Sequence, residues 1–329
     1  MKPAAAALAN RVPAGHWENM NASSDFVHRE PRPIAGILWM VVTGLMFVGV
    51  TAVVKHMGDG VPAAQSAFLR YLLGLVFFLP MLPTLHTIRI ERRDLGLYGL
   101  RGLVHALGVL LWFFSMTRIS LAEVTAMNYL APVYVTLGAA LFLGERLRLR
   151  RVMAVLVAIS GALIILRPGI RELSTGHIAM LFAAVLLAAS YLIAKRMTGR
   201  ASPLVVVGML SVTVTVFLAP FAWAVWQPIS LEQVGWLFLV AFFATAGHYT
   251  MTLAFVSAPV GVTQPVTALQ LVWAVALGAL AFGEPVDPYV VLGGVVIVSA
   301  VIFIAVREQA VRRAEALADD PPIVPREGV

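Results

Sequence analysis

The chain has 329 residues, 60% of them hydrophobic and only 12% charged. Soluble domains run about 45–50% apolar and about 25% charged, so a soluble enzyme is excluded, and a mean hydropathy of +0.88 agrees. The apolar runs are long and continuous, as in membrane-spanning helices, whereas a β-barrel would alternate over short segments. The formal charge of +7 falls in short loops between those runs, a pattern that orients helices in a bilayer rather than one that binds nucleic acid. With no cysteine, the chain has no disulfide, thiolate nucleophile or cysteine metal site.

Residues 1–33 hold one short apolar stretch, Ala4 to Leu8, too short for the roughly 7–15 residues of a signal peptide core. They are expected to form a disordered cytoplasmic tail, in which Met20 is an alternative start. Ten spans of about 20 residues each are then expected near 34–54, 63–84, 95–117, 120–143, 150–167, 176–196, 203–225, 234–257, 259–283 and 288–306. Pro62, Pro203, Pro259 and Pro288 mark starts; Gly58, Gly144 and Gly283 mark ends. Residues 307–329 form a second tail, which extends the last helix before ending in Pro321, Pro322 and Pro325.

Lys and Arg set the direction. With both termini in the cytoplasm, the inner segments carry 18 of the 24 and the outer loops carry four: Lys55, Arg118, Arg167 and Arg171. Arg70 and Arg101 lie within spans. This asymmetry predicts an even number of spans with both termini inside.

The halves resemble each other at a spacing of about 140 residues. Lys55-His56-Met57 is matched by Lys195-Arg196-Met197, Pro80 by Pro220, and Leu143-Gly144-Glu145 by Phe282-Gly283-Glu284. A unit of five spans is odd, so the second copy enters the membrane inverted. The expected architecture is all-α: ten transmembrane helices in two inverted five-helix repeats, 34–168 and 176–306. Inverted repeats recur in secondary transporters, where the halves rock around a central site.

At these residues the sequence resembles the EamA family of the drug/metabolite transporter superfamily. Trp112 to Met116, Ala122 to Ala126, Ala131 to Val133 and Leu143 to Arg146 are similar to its third-to-fourth-span signature. Phe68 to Tyr71 is similar to its second-span start. Pro265, Gln270, Trp273 and Phe282 to Pro285 repeat the pattern, but Leu271 stands where Pro132 falls. The resemblance implies a cavity lined by spans 1–4 and 6–9, with spans 5 and 10 peripheral, in a bacterial inner membrane. Its implied cargo is a small polar metabolite, such as an amino acid or derivative. The second half also resembles the branch of S-adenosylmethionine and riboflavin carriers.

Ionisable residues deep in a span are costly and point to function. Arg70 is a candidate for a substrate carboxylate or phosphate; the alternative is a cation that caps carbonyls or locks a neighbouring helix. Arg101, closer to the inner end, is expected to snorkel toward headgroups. His105, His248 and Glu123 are candidates for proton coupling. Against that stand neutral histidines bonded between helices and an ordinary acid at a helix N-terminus.

Asn128, Tyr129, Thr267 and Gln270 are polar candidates for substrate contact, and Trp112, Tyr249 and Trp273 are aromatic ones. Gln264, Thr267 and Gln270 form a stripe on span 9 that lipid cannot satisfy. Glu145 and Glu284 close span ends and are expected to gate or brace, each against a loop arginine. Small residues in spans 5 and 10 suit close packing, internal or in a homodimer.

The sequence carries no phosphate loop, nucleophile elbow or zinc motif, so no catalytic residue, cofactor or metal is expected. The remaining alternatives are a membrane sensor or assembly protein and, behind them, an intramembrane enzyme.

Overall fold

The computed structural model describes residues 32–81, 92–143, 149–170, 172–197, 203–258 and 260–318. The expectations for the N-terminal tail, for Glu145 and for the Gln264 side chain lie outside the described residues.

Among the described residues, eleven α-helices and two 3₁₀ segments build ten spans. Span 1 is Pro33–Met57, span 2 is Ala63–Gly74 continued by the 3₁₀ segment Leu75–Met81, and span 3 is Arg92–Met116. Span 4 is two helices, Leu121–Asn128 and Leu130–Leu143, and span 5 is Leu149–Leu166. The second half follows with Thr175–Met197, Pro203–Ala224, Leu231–Ser257, Val260–Phe282 and Pro288–Ala318 as spans 6 to 10. Spans 1, 7 and 10 open on proline, whose fixed φ suits a first helical position and whose missing N–H is not needed there. Spans 4 and 8 open on capping boxes, Ser120 with Glu123 and Ser230 with Gln233, which satisfy two otherwise free N–H groups each.

Span 4 departs from the expected continuous span for a local reason. Span 4 breaks at Tyr129, whose N–H bonds the Ala126 carbonyl at 3.3 Å in place of a helical partner. Pro132 supplies no N–H to the carbonyl four residues back. Span 9 has Leu271 at the equivalent place and runs unbroken. The last helix continues past 306 to Ala318, the extension expected of the second tail.

The helix contacts repeat between the halves. Span 1 lies on span 8 as span 6 lies on span 3, and span 1 meets span 9 as span 6 meets span 4. Span 2 meets span 7, and span 5 meets span 10. Exchanging the halves returns each of these contacts, which is the expectation for a two-repeat fold. Spans 5 and 10 touch through backbone. A Cβ on Gly161 would lie 2.7 Å from the Gly293 carbonyl oxygen, and one on Gly293 would lie 2.5 Å from that of Gly161.

Between lipid-solvated helices, such close approach is a main source of cohesion. Gly161→Ala is therefore expected to force spans 5 and 10 apart and cost about 1–3 kcal/mol, as overpacking does. Gly99→Ala, where an added Cβ meets nothing within 4 Å, is expected to stay within about 0.5 kcal/mol of the parent. Thermal unfolding of both variants in detergent reads the difference.

Candidate functional site

One end of the bundle, formed by the turns after spans 1, 3, 5, 7 and 9, is tied by side chains from both halves. Gly283, at φ +63°, turns the chain out of span 9, and the Glu284 N–H donates to the Gly278 carbonyl at 2.9 Å. That turn, easy for glycine, aims the Glu284 carboxylate at span 1, where it forms an ion pair with Lys55. The same carboxylate accepts from the Leu121 N–H at 3.0 Å, and Lys55 Nζ donates to the Ile119 carbonyl at 2.9 Å. Spans 1, 4 and 9 thus meet in one latch. Beneath it Val48, Leu121 and Ala274 pack as an apolar plug with Trp273 and Leu277.

Charges near the latch are paired too. Arg167 pairs with Asp287, and Arg118 lies 3.8 Å from Asp59. Glu123 closes the capping box of span 4, accepting from the Ser120 N–H at 2.9 Å. Its other oxygen lies 3.1 Å from Nε2 of the buried His177, whose Nδ1 meets Ser174 Oγ at 2.8 Å. Glu123 therefore occupies the position of a helix N-terminal acid, bonded across to span 6.

A second cluster lies deeper, built by spans 2, 3 and 6. The Arg70 guanidinium lies 3.9 Å above the Tyr71 ring. The Tyr71 hydroxyl shares a hydrogen bond with His105 Nε2 at 3.0 Å, and His105 Nδ1 shares one with Ser190 Oγ at 3.0 Å. His105 is thus held between helices through both ring nitrogens. The Tyr191 ring is 6.5 Å from His105, yet 44% of Tyr191 is open, so it borders open space. Arg101, one turn from His105, is only 6% exposed and donates to the Val206 carbonyl of span 7 at 3.0 Å. Its contact is therefore a neighbouring backbone rather than open surface. His248 packs edge-on against Phe47 at 5.2 Å.

The remaining candidates divide. Tyr129 donates its hydroxyl to the Thr267 carbonyl, so the break in span 4 is tied to span 9. Gln270 and Trp273 lie over Gly44 of span 1: a Cβ there would be 2.8 Å from the indole and 3.5 Å from Gln270 Cβ. Trp112 is on the same face of span 3 as Arg101 and His105 by helical spacing, and its buried indole N–H has no hydrogen-bond partner. Asn128 ends the first half of span 4, half-buried. Tyr249 is 65% exposed, the one fully open side chain of the set.

The sequence reading missed Lys55, Tyr71 and His177, and it expected an arginine where Lys55 meets Glu284. Ser120-x-x-Glu123 was a visible capping signature. Tyr71 was marked only as the end of the Phe68-to-Tyr71 resemblance, with nothing in the apolar run to name a partner for its hydroxyl.

The model of the EamA-like transporter family matches residues 34–167 and again residues 174–306. A riboflavin transporter of Rhizobium johnstonii is 32% identical over 303 residues, 91% of this chain and 100% of that protein. The pseudopaline exporter CntI of Pseudomonas aeruginosa is 27% identical over 82% of this chain and 95% of its own. An S-adenosylmethionine uptake transporter of Rickettsia prowazekii is 22% identical over 83% and 93%. A solved crystal structure shares the fold, with a TM-score of 0.55 and 19% identity over 85% of this chain and 98% of that one. Two successive matches to one family, on two five-span halves with equivalent contacts, mean that the chain belongs to the EamA-like transporter family and is a multi-pass membrane transporter of a small metabolite.

Proposed function

We propose that this transporter carries a planar, riboflavin-like metabolite across a bacterial inner membrane by alternating access. The observation that carries the reading is the Tyr71–His105–Tyr191 cluster, in which the buried Tyr71 hydroxyl meets His105 and the Tyr191 ring beside them is 44% open. Ring faces stack on a flat heteroaromatic cargo, and a few placed polar groups orient it. The likeness to a riboflavin transporter over nearly the whole of both chains supports the same cargo class. In this reading Arg70 and Trp112 contact the cargo from the cluster side. Asn128, Gln270 and Trp273 complete the wall formed by spans 4 and 9.

The excess of Lys and Arg at the opposite end puts the latch end outside and both termini in the cytoplasm. The Lys55–Glu284 latch then seals the outer face, and the cluster opens inward. Opening outward requires spans 1 and 9 to separate, which leaves both charges without their partner. The latch is therefore one energy term that the rocking of the halves must exchange for others.

The cargo reading is tested by counterflow in proteoliposomes. Riboflavin loaded inside is expected to drive saturable uptake of labelled riboflavin, with S-adenosylmethionine a poor competitor. Counterflow driven by S-adenosylmethionine and not by riboflavin would reverse the assignment.

The latch reading is tested on the naturally cysteine-free chain with a single Ala52→Cys, in the apolar plug beneath Lys55. Adding Glu284→Gln is expected to raise its labelling by an impermeant maleimide from outside about tenfold, equivalent to a shift of about 1.4 kcal/mol toward the open face. Glu232→Gln, exposed at the same end, is expected to leave the rate unchanged. Equal rates in all three proteins would refute the latch.

A further inference from the structure

We infer that the cargo bears an anionic group, a carboxylate or a phosphate, held between Arg70 and Arg101. The inference rests on the carrier reading and narrows its cargo. Both arginines lie within spans and are at least nine-tenths buried, at 8% and 6% exposure. Guanidinium stays charged in proteins, so neither escapes the cost of burial by losing its proton.

Their protein partners are neutral. Arg70 has the face of the Tyr71 ring. Arg101 has one backbone carbonyl, and its Nε is buried with no hydrogen-bond partner. Arg70 adjoins Tyr71, whose hydroxyl meets His105, and Arg101 stands one helical turn before that histidine on span 3, so the two arginines flank one imidazole. Neither arginine forms a salt bridge with an acid among the described residues. Glu123, Glu284, Asp287 and Asp59 are engaged at the latch end.

Two permanent cations therefore flank one buried imidazole without a salt-bridged acid among the described residues. Buried cations left unpaired are costly, and in transmembrane helices they mark substrate pathways. The forked donors of arginine match two oxygens of a carboxylate or phosphate. A cargo with one such group would pair with the guanidinium groups while its flat part lies against Tyr71 and Tyr191. A cationic cargo would meet like charge there. Lipid phosphate carries the same chemistry, and the test separates it from a free metabolite.

The test uses the purified full chain in neutral detergent and matched pairs that differ only by phosphate: riboflavin with riboflavin phosphate, and adenosine with adenosine monophosphate. Binding is read by thermal shift. The phosphate member is expected to bind at least about tenfold more tightly, the scale of a charge-assisted bidentate contact. Arg70→Gln and Arg101→Gln should each bring the ratio to within about twofold by weakening the phosphate member more than the uncharged one, and Arg70→Lys should keep part of it. A second readout excludes a merely structural role. Removing an uncompensated buried cation should leave the melting temperature without ligand unchanged or raised, whereas loss of a structural tie would lower it.

Preference for the phosphate member in the adenosine pair alone would sink the riboflavin-like reading and keep the anionic group. Riboflavin bound as well as its phosphate would do the reverse. An arginine-dependent shift from phosphatidylglycerol, with none from any metabolite, would assign the site to lipid and overturn the inference. So would equal binding within both pairs, or a marked fall in melting temperature in both glutamine variants.

Discussion

Hydrocarbon gives helices no apolar reason to leave lipid for one another, so cohesion has to come from close packing and from polar groups that lipid cannot satisfy. Both occur here in sequence-specific places. Gly36 against Ala258, Gly161 against Gly293 and Gly102 against Thr213 let backbones approach until a Cβ would not fit. Where the helices are that close, hydroxyls reach across: Thr43 meets Thr250 at 2.9 Å. Small residues thus fix where spans touch, and the touching spans fix which polar atoms face one another. The site follows from that order, because Tyr71, His105 and Ser190 can meet only where spans 2, 3 and 6 have already been brought together.

The fold was legible because the bilayer dictates it. Runs near 20 apolar residues must be spans, and an odd repeat must invert. The break in span 4 was not expected; it follows from Pro132, which removes an N–H, and span 9 runs on where Leu271 stands instead. The site was legible only in part. Arg70, His105 and Trp112 announce themselves as polar atoms in apolar runs. Tyr71 does not, because a tyrosine among leucines reads as filler until its hydroxyl finds a partner. Lys55 reads as a loop cation at the end of span 1, and its pairing with Glu284 depends on how spans 1 and 9 cross. Arg101 shows the limit of depth alone. Its position predicted a side chain reaching for headgroups, and the carbonyl of Val206 lay closer.

Two groups of charges in the described bundle contrast, and the contrast bears on mechanism. At the latch end each cation meets an acid or a carbonyl at a helix terminus, where free N–H and C=O groups add their own field. Those pairs are complete within the protein, so their cost is settled when the end closes and returns when it opens. Deep in the bundle the cations have ring faces and one carbonyl, but no acid. Completion there has to come from something that enters.

A carrier benefits from keeping the two classes apart. If the deep cluster were neutralised by its own acid, cargo binding would have to break that pair first, and little binding energy would remain to bias the halves. If the latch depended on cargo, the closed end would leak whenever the site was empty. A latch closed by Lys55 and Glu284, with a deep site left cationic, avoids both conditions. On the proposed cargo site, binding energy at Arg70 and Arg101 acts on the conformational equilibrium only through the difference between the two open states.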